Sequence, residues 1–313
     1  MVHGADARIR PHIRETILEH STHFSQLTGA HVHFKCENLQ HTGSFKARGA
    51  LNKILSLSDQ DRARGIVAAS TGNHGAACAF AMRQVGMQGI VFVPETIPEA
   101  KLAPIRRWGA EVRTFGTDCI ETEGHARAHA AEHGMTYVPP YNDPLVVGGQ
   151  GTIAVELLRQ LPDIDAVFAA VGGGGLIGGV GSYLKAMKPD VQVIGCSPEN
   201  SQVMARSVEA GELLDLPSLP TLSDSTAGGV EPGSITFPLC REFVDRFVLV
   251  TEAEIAAGMR DFMGTHHMLI EGSAAVAHAA FLRERDSLRG LCVVIILCGG
   301  NIGLQTLREV LAG

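Results

Sequence analysis

Residues Ala166–Gly179, AVFAAVGGGGLIGG, read as one unit: an uncharged, β-rich run that meets four glycines and continues into a helix of small residues. A strand without polar alternation is expected where helices cover both faces of a sheet. The same rhythm recurs in Gly65–Ser70 (GIVAAS), Gly89–Glu95 (GIVFVPE), Ala110–Phe115 (AEVRTF), Val191–Ser197 (VQVIGCS), Arg246–Thr251 (RFVLVT) and Leu291–Gly300 (LCVVIILCGG). Longer, Ala-rich, helix-like segments separate these runs. The alternation predicts parallel βαβ units and a doubly wound α/β class. No internal repeat, low-complexity linker or long charge run marks a domain boundary.

The 313 residues are 45% hydrophobic, enough to bury a full core in one large or two medium domains. A formal net charge of −7 with scattered Lys and Arg argues against a nucleic-acid partner, which needs clustered cations. The uncharged stretch Ala166–Leu184 is broken by glycines that suit a buried strand and loop better than a bilayer, so no membrane span is predicted. The opening residues MVHGADARIRPHIRE mix charges and lack the apolar core of a signal peptide, from which a cytoplasmic location is expected. Seven cysteines without paired spacing then read as reduced thiols. Six are taken as packing residues, and Cys298 as the exception.

Three polar elements punctuate the apolar rhythm. His41–Ala50, HTGSFKARGA, sets Lys46 among small residues, where partial desolvation would lower its pKa and free the amine to attack a carbonyl. Taken alone, the same segment suits a surface lysine at a capped helix start. Ser70–Gly75, STGNHG, joins a strand to a helix and offers hydroxyls, backbone amides and the Asn73 amide to a carboxylate or phenolate oxygen. Val171–Gly179 places successive glycines at another helix N-terminus, suited to a phosphate. Gly173, Gly175 and Gly178 also satisfy GxGxxG, with Glu199 about 20 residues on, so a dinucleotide competes for this turn. A nicotinamide site gives no role to Lys46 or to STGNHG.

Together these segments closely resemble the serine and threonine dehydratases and serine racemase of the pyridoxal 5'-phosphate (PLP) fold-type II family. The likeness runs from about Ile9 to the C-terminus and includes GGQGT at Gly148–Thr152, Glu271-Gly272 in LIEGSAAV, and CGGN at Cys298–Asn301. It implies a tryptophan synthase β-like α/β fold with two open twisted sheets flanked by helices. A large PLP-binding domain would comprise residues 1–64 and 144–313, and a small inserted α/β domain residues 65–143. The implied activity is β-elimination of water from a small β-hydroxy amino acid, giving a 2-oxo acid and ammonia. A homodimer acting on a small amino-acid substrate is also implied.

Residue by residue, the resemblance makes Lys46 the lysine that holds PLP as an imine and later takes the α-proton, with Phe45 packing on the ring. Asn73 would hydrogen-bond the ring's phenolic oxygen. Ser70, Thr71 and His74 would surround the substrate carboxylate. Gly172, Gly173, Gly174, Gly175 and Leu176 would hold the phosphate, and Glu271 would border the cofactor. Cys298 falls where the family places Ser or Cys beside the pyridine nitrogen. A neutral thiol there makes a weaker electron sink and favours elimination over transamination. Thr71 lies where serine racemases carry a hydroxyl able to reprotonate Cα, which makes racemisation the alternative activity. Dehydration of 3-hydroxyaspartate, of phenylserine or of an amino acid from hydroxyectoine breakdown is a further alternative.

The sequence departs from the family in places. Ser197 and Val203 stand where cation-binding members carry carboxylates, and Glu199 is out of register, so no metal site is expected. Ser225 replaces a usual glycine in the loop Thr221–Phe237, TLSDSTAGGVEPGSITF, which should border the substrate. His125, His129 and His133 share one helical face but read as exposed helix surface rather than a functional metal site. His266 and His267 match no ligand pattern and read as structural or pocket-lining residues. The chain stops soon after CGGN, from which no C-terminal regulatory domain and no isoleucine feedback are expected.

Overall fold

The computed structural model describes residues 1–97 and 99–313. Among the described residues, ten strands form two sheets. The larger has the order β1-β2-β10-β7-β8-β9: Leu18–His20, His31–Cys36, Cys292–Leu297, Ala166–Ala170, Gln192–Pro198 and Arg246–Val250. All its neighbours are parallel except the β1–β2 edge pair. The smaller has the order β5-β4-β3-β6, with Glu111–Thr114, Gly89–Val93, Ile66–Ala69 and Thr136–Tyr137 all parallel.

Helices lie on both faces of each sheet, and the burial pattern shows why the strands lack polar alternation. On β3, Ile66 and Ala68 pack into one apolar cluster and Val67 into another. The helix Gly272–Glu284 buries ten consecutive residues, Gly272 to Phe281, against β7 and β10. The expected α/β fold with two helix-flanked sheets is the one observed. β1, β2 and β6 are absent from the sequence reading. In β2, His31, His33 and Lys35 dilute the apolar signal, while β6 spans only two residues.

Lys35 is wholly buried on β2 because it joins an ionic network that ties the first helices to the large sheet. Arg48 donates to both oxygens of Glu37 at 2.8 Å and to both oxygens of Glu156 at 2.8 and 2.9 Å. Lys35 reaches Glu156 at 2.6 Å, and Arg10 reaches it at 2.7 Å. Burial alone would raise the Glu156 pKa, but Arg48 and Lys35 outweigh it and hold the carboxylate down at about 2. Arg48 lies on the Lys46–Leu55 helix, so this network fixes the element that carries Lys46.

The strand order of both sheets reverses at a point outside the carboxyl ends of the strands, where ligands are ordinarily bound in open α/β sheets. In the small sheet, β4 and β6 leave to opposite sides of β3, and Ser70 follows β3. In the large sheet, β10 and β8 flank β7, and the glycine turn follows β7. Among the described residues no helix is long and apolar enough to cross a membrane.

Candidate active site

A cavity of about 730 Å³ is lined by Lys46, the whole turn Ser70–His74, Pro140, the loop residues Thr221, Leu222, Asp224 and Ser225, and Glu271 and Asn301. Residues far apart in the sequence meet here. The segment around Lys46 is stitched to CGGN: Phe45 N–H donates to the Cys298 carbonyl at 3.0 Å, Gly300 N–H to the Gly43 carbonyl at 2.9 Å, and Ser44 bridges Gly299. Gly43 adopts a left-handed φ of 71°, and a Cβ there would stand 2.6 Å from Asn301 Oδ1, so this crossing requires glycine.

Lys46 opens the helix Lys46–Leu55 and donates to the Pro140 carbonyl at 2.8 Å, with Nζ 5.2 Å from the Phe45 ring centroid. Its side chain reaches the cavity yet is densely surrounded by protein atoms. That desolvation lowers its pKa to about 8, against the opposing pull of Cys298, Cys78 and Glu271. Cys298 is buried at the end of β10, and burial, reinforced by Glu271, pushes its thiol well above the ordinary range. It is therefore a neutral thiol at neutral pH.

The turn Ser70–His74 runs into the helix Asn73–Val85, of which Asn73 and His74 are the first residues, and lies at its positive end. Ser70 and Thr71 face the cavity half-buried. His74 lines it too, but its Nε2 sits 2.8 Å from the Val138 carbonyl. Burial and then Lys46 lower its pKa to about 3, so the ring is neutral and donates from Nε2 to that carbonyl. Asn73 bonds the Glu271 carboxylate at 2.8 and 3.1 Å. Burial lifts Glu271 to about 7, against the hydrogen bonds from Asn73 and Asn301.

The glycine turn is packed beneath Tyr141 and Thr226 rather than on the cavity wall. A Cβ on Gly172 would lie 2.9 Å from Thr226 Cα, and one on Gly173 would lie 2.4 Å from the Tyr141 ring. Gly174 has a left-handed φ of 80° and leads into the helix Gly175–Met187, with Leu176 buried in its first turn. Gly178 packs against Leu239, a helix–helix contact rather than part of the turn. Gly173→Ala is expected to weaken phosphate-cofactor affinity by about tenfold or more, because the methyl must displace Tyr141 or the turn itself. A cofactor titration by fluorescence checks it, and unchanged affinity in the folded variant would refute it.

These residues fit PLP. A desolvated amine can bond an aldehyde, a glycine turn at a helix N-terminus suits its phosphate, and a neutral thiol suits an unprotonated ring nitrogen. Ser44 Oγ, buried two residues before Lys46 in the chain, has no hydrogen-bond partner among the described residues. Tyr141, the Pro140 carbonyl and Asn301 carry no role in the sequence reading. CGGN marks Asn301, but its function depends on contacts across 228 residues. The other motifs lie elsewhere. His125 stacks on Phe115, and His129 stacks on His133 with centroids 4.0 Å apart. Ser197 Oγ donates to the Val171 carbonyl at 3.2 Å, and Glu199 pairs with Arg283 at 3.6 Å.

Comparison with known proteins agrees with this geometry. A family profile described as pyridoxal-phosphate dependent enzyme matches residues 9–299. The chain is 39% identical to an L-threonine ammonia-lyase of Geobacter sulfurreducens over 310 residues, covering 99% of this chain and 77% of that protein. Among solved structures, processed threonine deaminase isoform 2 of Solanum lycopersicum superposes with a TM-score of 0.94 at 33% identity, covering 99% of this chain and 87% of that one. Maize serine racemase superposes with a TM-score of 0.93 at 31% identity, covering 99% and 95%.

Proposed function

This chain belongs to the pyridoxal-phosphate-dependent enzyme family, and from that premise we propose that it removes water and then ammonia from a small β-hydroxy amino acid, L-threonine or L-serine. The observation that carries the reading is the desolvated Lys46 amine facing the Ser70–His74 turn across one cavity. Bound PLP supplies an electron sink for the charge released at Cα. Lys46 Nζ holds the cofactor covalently and, once freed by substrate, takes the α-proton. Ser70 and Thr71 hold the substrate carboxylate at the positive end of their helix, and His74 closes that side as a neutral ring. Gly172, Gly173, Gly174, Gly175 and Leu176 take the phosphate through backbone N–H groups, and Phe45 packs on the ring.

Cys298, a neutral thiol, would offer the ring nitrogen a hydrogen bond without the negative charge by which a carboxylate would stabilise a cationic ring. With such a partner the bound group would favour loss of the β-hydroxyl, which would leave as water on taking up a proton, over transamination. The large unit is residues 1–64 and 144–313 and the small unit 65–143, with the cavity between them. The protein works in the cytoplasm as a homodimer, which light scattering on the purified protein tests.

A panel of β-hydroxy amino acids with a coupled 2-oxo acid readout tests the activity. Turnover of L-threonine or L-serine is expected, and absence of 2-oxo acid from every member despite bound PLP would overturn the reading. The panel includes 3-hydroxyaspartate, phenylserine and a hydroxyectoine-derived amino acid. Thr71 on the cavity wall favours one second reading, serine racemisation through its hydroxyl. D-serine forming faster than pyruvate would promote it.

The lowered Lys46 pKa carries its own prediction. Only the neutral amine attacks an aldehyde, so the rate of PLP capture by cofactor-free protein should rise about tenfold per pH unit at low pH and level off above about 8. Stopped-flow absorbance follows it. A rate still climbing towards pH 10 would mean an unperturbed lysine.

A further inference from the structure

Glu271 is 2% exposed and accepts from Asn73 Nδ2 through a bond shared between its two oxygens, at 2.8 and 3.1 Å, and from the Asn301 backbone N–H at 2.9 Å. Asn301 Nδ2 donates to the Thr42 carbonyl at 2.8 Å and to Asn73 Oδ1 at 2.6 Å. A Cβ on Gly299 would stand 2.8 Å from the Glu271 carboxylate, so that glycine makes room for the group.

Each of these bonds fixes the sense of the next. A backbone carbonyl only accepts, so the nitrogen of Asn301 must face Thr42. The second N–H of Asn301 then makes Asn73 Oδ1 an acceptor, and Asn73 Nδ2 must turn to the carboxylate. An amide orientation that is ordinarily ambiguous is settled from both sides. Asn73 Nδ2 carries two hydrogens. Glu271 engages one, and the remaining contact, to Ser225 Oγ, is a long 3.5 Å.

We propose that Glu271 and Asn301 are positioning residues that hold Asn73 as a one-way hydrogen-bond donor towards the phenolic oxygen of bound PLP. The proposal rests on the PLP-binding role given to Asn73 above. An unrestrained amide can present oxygen or nitrogen at the same place. A donor stabilises an ionised ring oxygen, whereas an acceptor repels it. The ionised carboxylate, the form that prevails above about pH 7, is needed because it accepts from two donors at once. Glu271→Gln sets an NH2 group against one of those N–H donors and releases the orientation of Asn73. Lys46, Asp224 and Cys298 contribute the other charges and thiol around Glu271.

The test uses the PLP-loaded enzyme, read by its absorption spectrum and by PLP affinity as well as by turnover. Glu271→Gln is expected to weaken the visible cofactor band in favour of near-ultraviolet absorption and to lower PLP affinity by about tenfold. Asn301→Ala, which deletes the donor to Asn73 Oδ1, should shift the spectrum the same way and carries the test should the first variant fail to fold. A group that acts through Asn73 has nothing left to position once Asn73 is gone. Adding Glu271→Gln to Asn73→Ala should therefore change the spectrum no further. Wild-type spectra in both single variants, or a full Glu271→Gln effect in the Asn73→Ala background, would overturn the proposal. Absence of a visible band in wild-type protein supplied with PLP would instead overturn the PLP role of the site.

Discussion

Lys46→Arg is expected to abolish turnover, by on the order of 10⁴-fold or more, while leaving the protein folded. The guanidinium keeps the positive charge and can still donate to the Pro140 carbonyl, but it never supplies a neutral amine. Charge and local packing are thus retained while covalent cofactor attachment and proton transfer are lost together. Lys46→Ala should be equally inactive, and a small primary amine in solution should restore part of its activity by replacing the missing base. The accompanying readout is borohydride reduction of the PLP-loaded wild type, which should fix the cofactor on Lys46 in a peptide map. Without reductant, the wild type should absorb at about 410–420 nm, a range set by the cofactor chemistry. Label on another lysine, or an Arg variant within tenfold of wild type, would remove Lys46 from the reaction.

The second large effect concerns stability. Arg48→Met leaves Glu37 without its bidentate partner and strips Glu156 of two of its charged contacts, all at positions closed to water. Removing one member of a buried ion group typically costs about 3–5 kcal/mol, which for a chain of this size lowers Tm by about 5–8 °C. Arg48→Lys should fall between, since an ammonium cannot serve two carboxylates bidentately. A Tm within 2 °C of wild type for Arg48→Met would contradict this.

The same network sets a direction for acid unfolding. Glu156 titrates at about 2 in the folded protein, below the usual 4.5, so its contribution is complete above about 4.5 and declines as pH falls from there towards 2. Arg48→Met should lose part of that acid-dependent stability as well. Lys35 does not offset the effect: burial depresses its own pKa even beside Glu37 and Glu156, so its ammonium is costly to keep.

Much of the fold was legible because strand, turn and helix signals are local. Uniformly apolar runs such as Cys292–Leu297 announce strands covered on both faces, and each glycine or STGNHG turn lies where a strand hands over to a helix. Lys46, Asn73 and the glycine turn could be singled out as candidates for a related reason. Their chemistry is written in short motifs whose spacing survives without knowledge of partners. The inner strand β2 was not readable, since its buried Lys35 is tolerated through partners such as Glu156, 121 residues away in the sequence.

What the sequence by itself determined, then, is the alternation of elements, the family likeness and the presence of an amine, a polar nest and a glycine turn. Only the tertiary structure decided which groups those residues answer to. It turns Asn73 onto Glu271 and Asn301, commits the His74 ring to the Val138 carbonyl, and places Tyr141 against the glycine turn. The physical reason is that a polar side chain in a low-dielectric interior must find partners, and those partners are set by which strand ends converge rather than by neighbours in the chain. The lowered pKa of Lys46 has the same origin, because desolvation is a property of the folded cavity and not of the residues on either side.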